Sequence, residues 1–140
     1  MKKIYENNVI IKGLMLVLLI ILSSSFRLLA QTSEWVAPKA TDLLNNPYVG
    51  DQTVLQRGAI LFTQYCAICH GDKGKGNGLA GMSLNPRPTN FLSEKFQNQS
   101  DGAIFWKLTS GNPPMAPYKD ILKEEQRWEL VNYLRSLKKK

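Results

Sequence analysis

The sequence predicts a small all-α domain of three or four helices that follows an N-terminal leader. Two observations support this prediction. Apolar residues recur at spacings of three and four within 51–65, 100–110 and 123–137, which places them on one face of a helix. Stretches rich in glycine and proline, which interrupt helices, separate these segments. At 140 residues, the chain is long enough to bury a core around a prosthetic group.

Local signals give the expected helix ends. Asp51 can cap the first helix, which runs to about residue 65. Gly58 lies within this helix, where glycine costs about 1 kcal/mol relative to alanine, so it suggests close contact with another helix. Ser100 can cap the second helix, and Gly111 can end it. The third helix begins near Lys123, and two glutamates in its first turn suit the helix dipole.

The first 30 residues resemble a secretory signal peptide in their organisation. Three lysines precede an unbroken apolar run at 13–22, and Ala30 offers a small residue for cleavage. An uncleaved membrane anchor is the alternative, but the uncharged stretch 13–26 is shorter than the roughly 20 residues that a spanning helix needs. Residues 31–50 are predicted to form an extended N-terminal arm in which Trp35 can pack, and 51–140 form the domain.

The net charge argues against nucleic-acid binding. The whole chain carries +7, of which the leader contributes +3, leaving +4 for residues 31–140. A charge of this size suits weak docking to an acidic protein and is too small to indicate a nucleic-acid partner. The terminal lysine run is expected to be solvated.

The segment Cys66-Ala-Ile-Cys69-His70 is the attachment signature of a c-type haem. Each thiol adds across one haem vinyl group to form a thioether, and the adjacent imidazole can bind the iron. A closed zinc site needs four ligands, and the chain has no other cysteine or histidine. A thioredoxin-like dithiol needs a strand–helix context that is absent here, and a disulfide between these cysteines would close a very short loop. We therefore predict one covalent haem c and its iron.

The glycine-rich stretch after the motif contains a misleading pattern. Residues 76–81 match G-x-G-x-x-G, which indicates dinucleotide binding only when it follows a strand and opens a helix. This stretch follows the cysteine–histidine motif and leads into Pro86-Arg-Pro88. The glycines are better interpreted as supplying positive φ angles in a tight turn next to the predicted haem.

The predicted axial ligands are His70 and Met115. His70 is the one histidine in the sequence, so ligation by two histidines is excluded. Met82 and Met115 are the methionines outside the leader. Met82 follows His70 by only twelve residues, whereas Met115 is 45 residues away in a rigid proline loop, so Met115 is favoured and Met82 stays the alternative. His70 is expected to donate its other ring N–H to a carbonyl of the segment near Pro86.

These features resemble class I monohaem cytochrome c over about residues 51–138. The resemblance rests on the Cys66–His70 motif, on Met115 after Gly111-Asn-Pro-Pro, and on paired residues of the first and last helices. It implies that these helices cross, with Gly58 and Phe62 against Leu130 and Tyr133. The segments 71–78, 86–91 and 128–133 look like those of a periplasmic bacterial subgroup. An alanine between Met115 and Pro117 departs from the family pattern.

The resemblance implies a periplasmic electron carrier that is not an enzyme. A thioether opposite an imidazole favours Fe(II) and fills the position where a small ligand would bind, which argues against catalysis or gas sensing at the iron. Redox proteins would dock transiently at the exposed haem edge of a monomer, with Lys73, Lys75, Arg87 and Lys119 as rim candidates. The alternative is a haem subunit that stays docked in a respiratory complex or dehydrogenase. Membrane contact is expected only if the leader is uncleaved.

Overall fold

The computed structural model describes residues 12–18 and 34–139, and the predicted all-α fold is confirmed. Residues 12–18 are helical and belong to a separate unit from Trp35–Lys140. In residues 34–139 the α-helices are α1 Thr53–Tyr65, α2 Ala67–His70, α3 Glu94–Gln97, α4 Asp101–Ser110 and α5 Glu124–Ser136. The 3-10 helices are Lys39–Leu43, Leu79–Gly81 and Leu137–Lys139. No strand occurs in these described ranges, apart from an isolated bridge in the loop after α4.

The contact between α1 and α5 organises the domain, as the resemblance implied. A Cβ atom at Gly58 would meet the Glu129 carbonyl and lie 2.8 Å from the Tyr133 Cβ, so the two backbones approach too closely for a side chain. One turn later, the rings of Phe62 and Tyr133 lie 5.2 Å apart. Arg57 Nε donates to Glu129 Oε1 at 2.6 Å beside the same contact. The predicted pairing of the terminal helices is therefore confirmed.

The predicted helix ends are close to those observed. The Asp51 carboxylate accepts hydrogen bonds from the Thr53 amide (2.8 Å) and hydroxyl (2.7 Å), which lowers the pKa of Asp51. Ser100 Oγ accepts from the Ala103 amide at 3.1 Å and caps α4. Gly111, with φ of 62°, ends that helix. The N-cap residue of α1 is thus Gln52, one residue after the predicted Asp51, and it makes no side-chain cap hydrogen bond, whereas Ser100 and Gly111 lie at the ends predicted for them.

The sequence prediction missed several short elements, among them α3 and the 3-10 helix of the arm. Ser93 caps the single-turn helix α3 by accepting from the Phe96 amide at 3.3 Å, and Phe96 is buried. The arm, predicted to be extended, instead contains the 3-10 helix Lys39–Leu43. Both elements have fewer than six residues, so they contain too little sequence for an apolar period to appear. The boundaries proposed at residues 30 and 50 stay predictions.

The arm packs on α4 and α5 through a polar network. Asn46 Nδ2 donates to Asp101 Oδ2 (2.7 Å), and Asn46 Oδ1 accepts from Asn132 Nδ2 (3.1 Å). The other Asp101 oxygen accepts from Arg135 Nε at 2.7 Å. Trp35 also packs in the arm, with its ring 6.3 Å from that of Trp106. Asp101 therefore joins the arm, the start of α4 and the end of α5.

Replacing Asp101 with alanine is expected to lower the free energy of unfolding by about 1–3 kcal/mol, because the change removes two hydrogen bonds and leaves the partly buried Arg135 without its carboxylate. Thermal denaturation of the purified protein measures the effect. Asp72→Ala removes an exposed carboxylate and is the matched control. Equal melting temperatures for the two variants would contradict a structural role for the Asp101 network.

Most of the predicted leader, residues 1–11 and 19–30, lies outside the described residues, as do residues 31–33 of the arm. Among the helices found within 12–18 and 34–139, none has both the length and the apolar character needed to cross a membrane.

Candidate functional site

The two cysteines and the histidine lie on one helical turn. Helix α1 ends at Tyr65, and α2 begins directly after Cys66. The Cys66 carbonyl accepts hydrogen bonds from the amides of Cys69 (3.2 Å) and His70 (2.8 Å). Backbone hydrogen bonds thus hold the two thiols and the imidazole together on one short helical turn, where all three can reach the same prosthetic group.

Both thiols are free, and Cys66 is buried whereas Cys69 is partly exposed. Burial raises the pKa of the Cys66 thiol to about 12, and the negative charge of a Cys69 thiolate adds to the effect. A redox-active or nucleophilic cysteine requires a lowered pKa. The Cys66 environment therefore does not favour a reactive thiolate at this position.

His70 is oriented by the proline-containing segment, as predicted. Its Nδ1 lies 3.0 Å from the Thr89 carbonyl oxygen, and its ring stacks on Phe91 at 4.2 Å between centroids and 18° between planes. Because a carbonyl can only accept, Nδ1 carries the proton and Nε2 keeps its lone pair. Burial lowers the pKa of His70, although the bond to Thr89 opposes this effect. A neutral imidazole with a free Nε2 can bind a metal ion.

The glycine-rich loop folds back onto α2. The amide of Gly76 donates to the His70 carbonyl (2.8 Å), and that of Gly78 donates to the Cys69 carbonyl (3.1 Å). Gly71, Gly74 and Gly76 have φ between 69° and 78°, as predicted. Gly78 has φ of −67°, but a Cβ there would lie 2.6 Å from the Cys69 carbonyl carbon. The loop therefore braces the backbone that carries Cys69 and His70.

Met115 lies in a short, fixed loop between α4 and α5. Backbone hydrogen bonds join Asn112 and Met115 in both directions, at 3.0 and 2.8 Å. Met115 is partly buried and packs against the core cluster that includes Cys66. Met82 follows the 3-10 helix of the glycine-rich loop, and its side chain is 51% exposed. Met115, unlike the exposed Met82, therefore packs against the core cluster that contains Cys66.

Several apolar side chains near the cysteine–histidine turn face solvent. Ile68 is 59% exposed within the motif itself, and Leu79 is 78% exposed on the loop that contacts α2. The four predicted rim residues, Lys73, Lys75, Arg87 and Lys119, are also exposed. Exposed apolar residues next to cationic ones suit a surface that contacts an apolar group or a protein.

The donor set fits a covalently attached haem. It provides two free thiols three residues apart, an adjacent imidazole whose Nδ1 is already engaged, and a methionine that packs against the core cluster containing Cys66. These are the groups that attach haem c and bind its iron. Cys66 and Cys69 would hold the porphyrin, while His70 and one methionine would bind the metal.

Three residues of the site were not identified from the sequence. Thr89 provides the carbonyl for His70, and Phe91 provides the stacking ring. Tyr118 donates its hydroxyl to the Tyr65 carbonyl at 3.0 Å. Pro86 and Pro88 restrict the backbone of the segment that ends at Phe91, which is the signal that the sequence offers for the first two. Nothing in the spacing indicated Tyr118, because its partner lies 53 residues away in the sequence.

Comparison with known proteins finds similarity to c-type cytochromes. The family model described as cytochrome C oxidase, cbb3-type, subunit III matches residues 53–134, which include the cysteine–histidine turn and Met115. The chain is similar to cytochrome c550 of Pseudomonas aeruginosa, with 27% identity over 110 residues that cover 74% of this chain and 68% of that protein. It is also similar to cytochrome c-L of Methylorubrum extorquens, with 28% identity over 93 residues, or 66% of this chain and 44% of that protein.

One solved structure supports the fold alone. A chain of the Kuenenia stuttgartiensis reducing HAO-like protein complex aligns with a TM-score of 0.55 and 24% identity, over 61% of this chain and 44% of that one. The present chain thus spans less than half the length of this protein and of cytochrome c-L.

Proposed function

Since the chain belongs to the cbb3-type cytochrome c oxidase subunit III family of c-type cytochromes, we propose that it carries single electrons between proteins outside the cytoplasm, through one covalent haem c with His70 and Met115 as axial ligands. The observation that carries this proposal is the His70 geometry: the bond from Nδ1 to Thr89 leaves Nε2 available beside two free thiols. The composition of the leader supports a periplasmic location. Attachment of haem c also requires that the chain be exported.

Each residue has a distinct role in this proposal. Cys66 and Cys69 would each add a thiol across one haem vinyl group, with sulfur going to one vinyl carbon and hydrogen to the other and no net oxidation. His70 would bind iron through Nε2, with its ring held by Thr89 and Phe91. Met115 would supply the thioether ligand from its hydrogen-bonded loop. The bound haem supplies a one-electron Fe(III)/Fe(II) couple. Two protein ligands leave no coordination position for a substrate, which supports a carrier over an enzyme.

Redox partners would dock where the exposed apolar and cationic side chains lie together. Ile68 and Leu79 present apolar surface next to the cysteine–histidine turn, and Lys73 and Lys75 lie on the loop between them. Apolar contacts without many fixed ion pairs favour small interfaces that dissociate quickly, and the positive rim steers an acidic partner toward them. This arrangement supports transient docking of a monomer.

A permanently docked haem subunit is the second candidate, and the arm favours it. Val36, Leu43 and Val49 are 67%, 81% and 75% exposed, and Leu44 between them is 43% exposed. Apolar side chains exposed at this density along a short segment are typical of a surface that another protein covers. Intact mass and size-exclusion chromatography of the exported protein distinguish the candidates, because retention of residues 1–30 or purification in a stable complex would favour the docked subunit.

The test of haem attachment is the purified exported protein itself. We expect a pyridine haemochrome spectrum of haem c and an intact mass larger than that of the polypeptide by one haem. Cys66→Ala and Cys69→Ala each remove one thioether, and the double variant should lose covalent haem entirely because the described residues contain no other cysteine.

Met82→Ala is a suitable control, because Met82 is exposed and should leave haem content unchanged. Exported wild-type protein that is colourless, or that has the mass of the polypeptide alone, would overturn the proposed function.

A further inference from the structure

Tyr118 connects three parts of the site. Its amide donates to the Leu108 carbonyl in α4 at 3.0 Å, and its hydroxyl donates to the carbonyl of Tyr65, the residue before Cys66, at 3.0 Å. Its ring meets the Tyr65 ring edge to face, with centroids 6.2 Å apart. Tyr118 also follows Met115 by only three residues. It therefore fastens the Met115 loop to the turn that carries the attachment cysteine.

The break between α1 and α2 explains why the Tyr65 carbonyl is available. In a continuous helix, the amide of Cys69 would donate to this carbonyl. Here that amide donates to the Cys66 carbonyl at 3.2 Å instead, as the chain tightens into the cysteine–histidine turn. The Tyr118 hydroxyl takes the position of the missing donor. The haem-binding turn and the anchor of the Met115 loop are thus structurally linked.

The Tyr118 hydroxyl is well suited to this contact. Burial raises the pKa of Tyr118 to about 12. The hydroxyl therefore remains a donor at neutral pH. On the other side of the loop, Asn112 holds the Met115 backbone with two hydrogen bonds.

We propose that Tyr118 is a positioning residue, whose hydroxyl holds the Met115 loop against the cysteine–histidine turn and slows the release of Met115 from iron. This inference rests on the proposed His70/Met115 ligation and goes beyond it, since the Tyr118 hydroxyl donates to the Tyr65 carbonyl and would act on the ligand only through the loop. In this proposal, the hydrogen bond from Tyr118 to the Tyr65 carbonyl determines how long Met115 stays bound to iron.

The test uses Tyr118→Phe in the ferric holoprotein, with imidazole as the probe that replaces Met115. Because loop opening precedes imidazole binding, loss of the hydroxyl should increase the limiting rate about tenfold, the change expected from one buried hydrogen bond. Tyr65→Phe is the matched control, because it removes a neighbouring hydroxyl and keeps the carbonyl that Tyr118 uses. Its rate should remain within about twofold of wild type.

The outcomes separate this inference from the ligand assignment. A wild-type imidazole rate in Tyr118→Phe overturns the inference, even if the melting temperature falls, because a merely structural role would change stability and leave the limiting rate unaltered. In Met115→Ala no protein ligand has to leave first, so the rate of imidazole binding should not be limited by opening of the loop. If Met115→Ala behaves like wild type, the ligand assignment itself is wrong.

Hydrogen exchange in the wild-type holoprotein gives a second measurement that does not require Tyr118→Phe to fold. The Met115 and Tyr118 amides both donate within the fastened loop, so they should exchange in one opening event with similar protection. A Met115 amide that exchanges about a hundredfold faster than that of Tyr118 would show that the loop opens independently of the Tyr118 contact.

Discussion

Met115→Ala is expected to lower the reduction potential of the holoprotein by on the order of 0.1 V or more, within the roughly 0.8 V range that axial ligands cover. The thioether stabilises Fe(II), so its loss should favour Fe(III). The variant should also bind imidazole or cyanide readily, because the change opens one coordination position. Potentiometric titration and the visible spectrum of the ferric protein measure these effects. Haem attachment should be unaffected, because both cysteines remain.

Met82→Ala is the matched control for this prediction. Met82 is exposed on the glycine-rich loop, whereas Met115 packs against the core. The control should retain the wild-type potential and ferric spectrum. If Met82→Ala lowers the potential and Met115→Ala does not, the ligand is Met82, the alternative that the sequence left open. If neither variant changes the potential, the proposed histidine–methionine ligation is wrong.

The helices and the attachment motif could be predicted from the sequence because their signals are local. The Ser100 hydroxyl and the Ala103 amide are three residues apart, and Asp51 and Thr53 are two apart. Such contacts depend on residue type and spacing, which a single sequence displays. The three residues Cys66, Cys69 and His70 are likewise within one turn, so their spacing alone indicates the chemistry.

The contacts that position the site could not be predicted in this way. Tyr118 and Tyr65 are 53 residues apart, and Asn46 and Asn132 are 86 apart. Neither end of such a pair has a distinctive residue pattern, because a tyrosine or an asparagine can bond to many partners. The pairing of Gly58 with the last helix was implied by family resemblance rather than by periodicity, which identifies an apolar face and not what it packs against.

Gly58→Ala and Gly58→Leu are expected to destabilise the protein, in contrast to the usual effect of such changes. In an isolated helix, replacing glycine with alanine gains about 1 kcal/mol. At Gly58, however, the new Cβ would collide with the Glu129 carbonyl and lie 2.8 Å from the Tyr133 Cβ. Overpacking of this kind costs about 1–3 kcal/mol, and the larger leucine should cost more than alanine. Thermal or denaturant unfolding of the holoprotein should show that stability decreases from wild type to Gly58→Ala and further to Gly58→Leu.

Ala59→Leu is the matched control, since it adds the same side chain one residue along the helix and away from the crossing with α5. Ala59 is only partly buried, so this variant should keep a melting temperature close to wild type. The sign of the Gly58→Ala change is the decisive result, because helix propensity and backbone contact predict opposite directions. A Gly58→Ala variant more stable than wild type would mean that α1 and α5 do not approach as closely as described, and the crossing that supports the haem-binding turn would have to be revised.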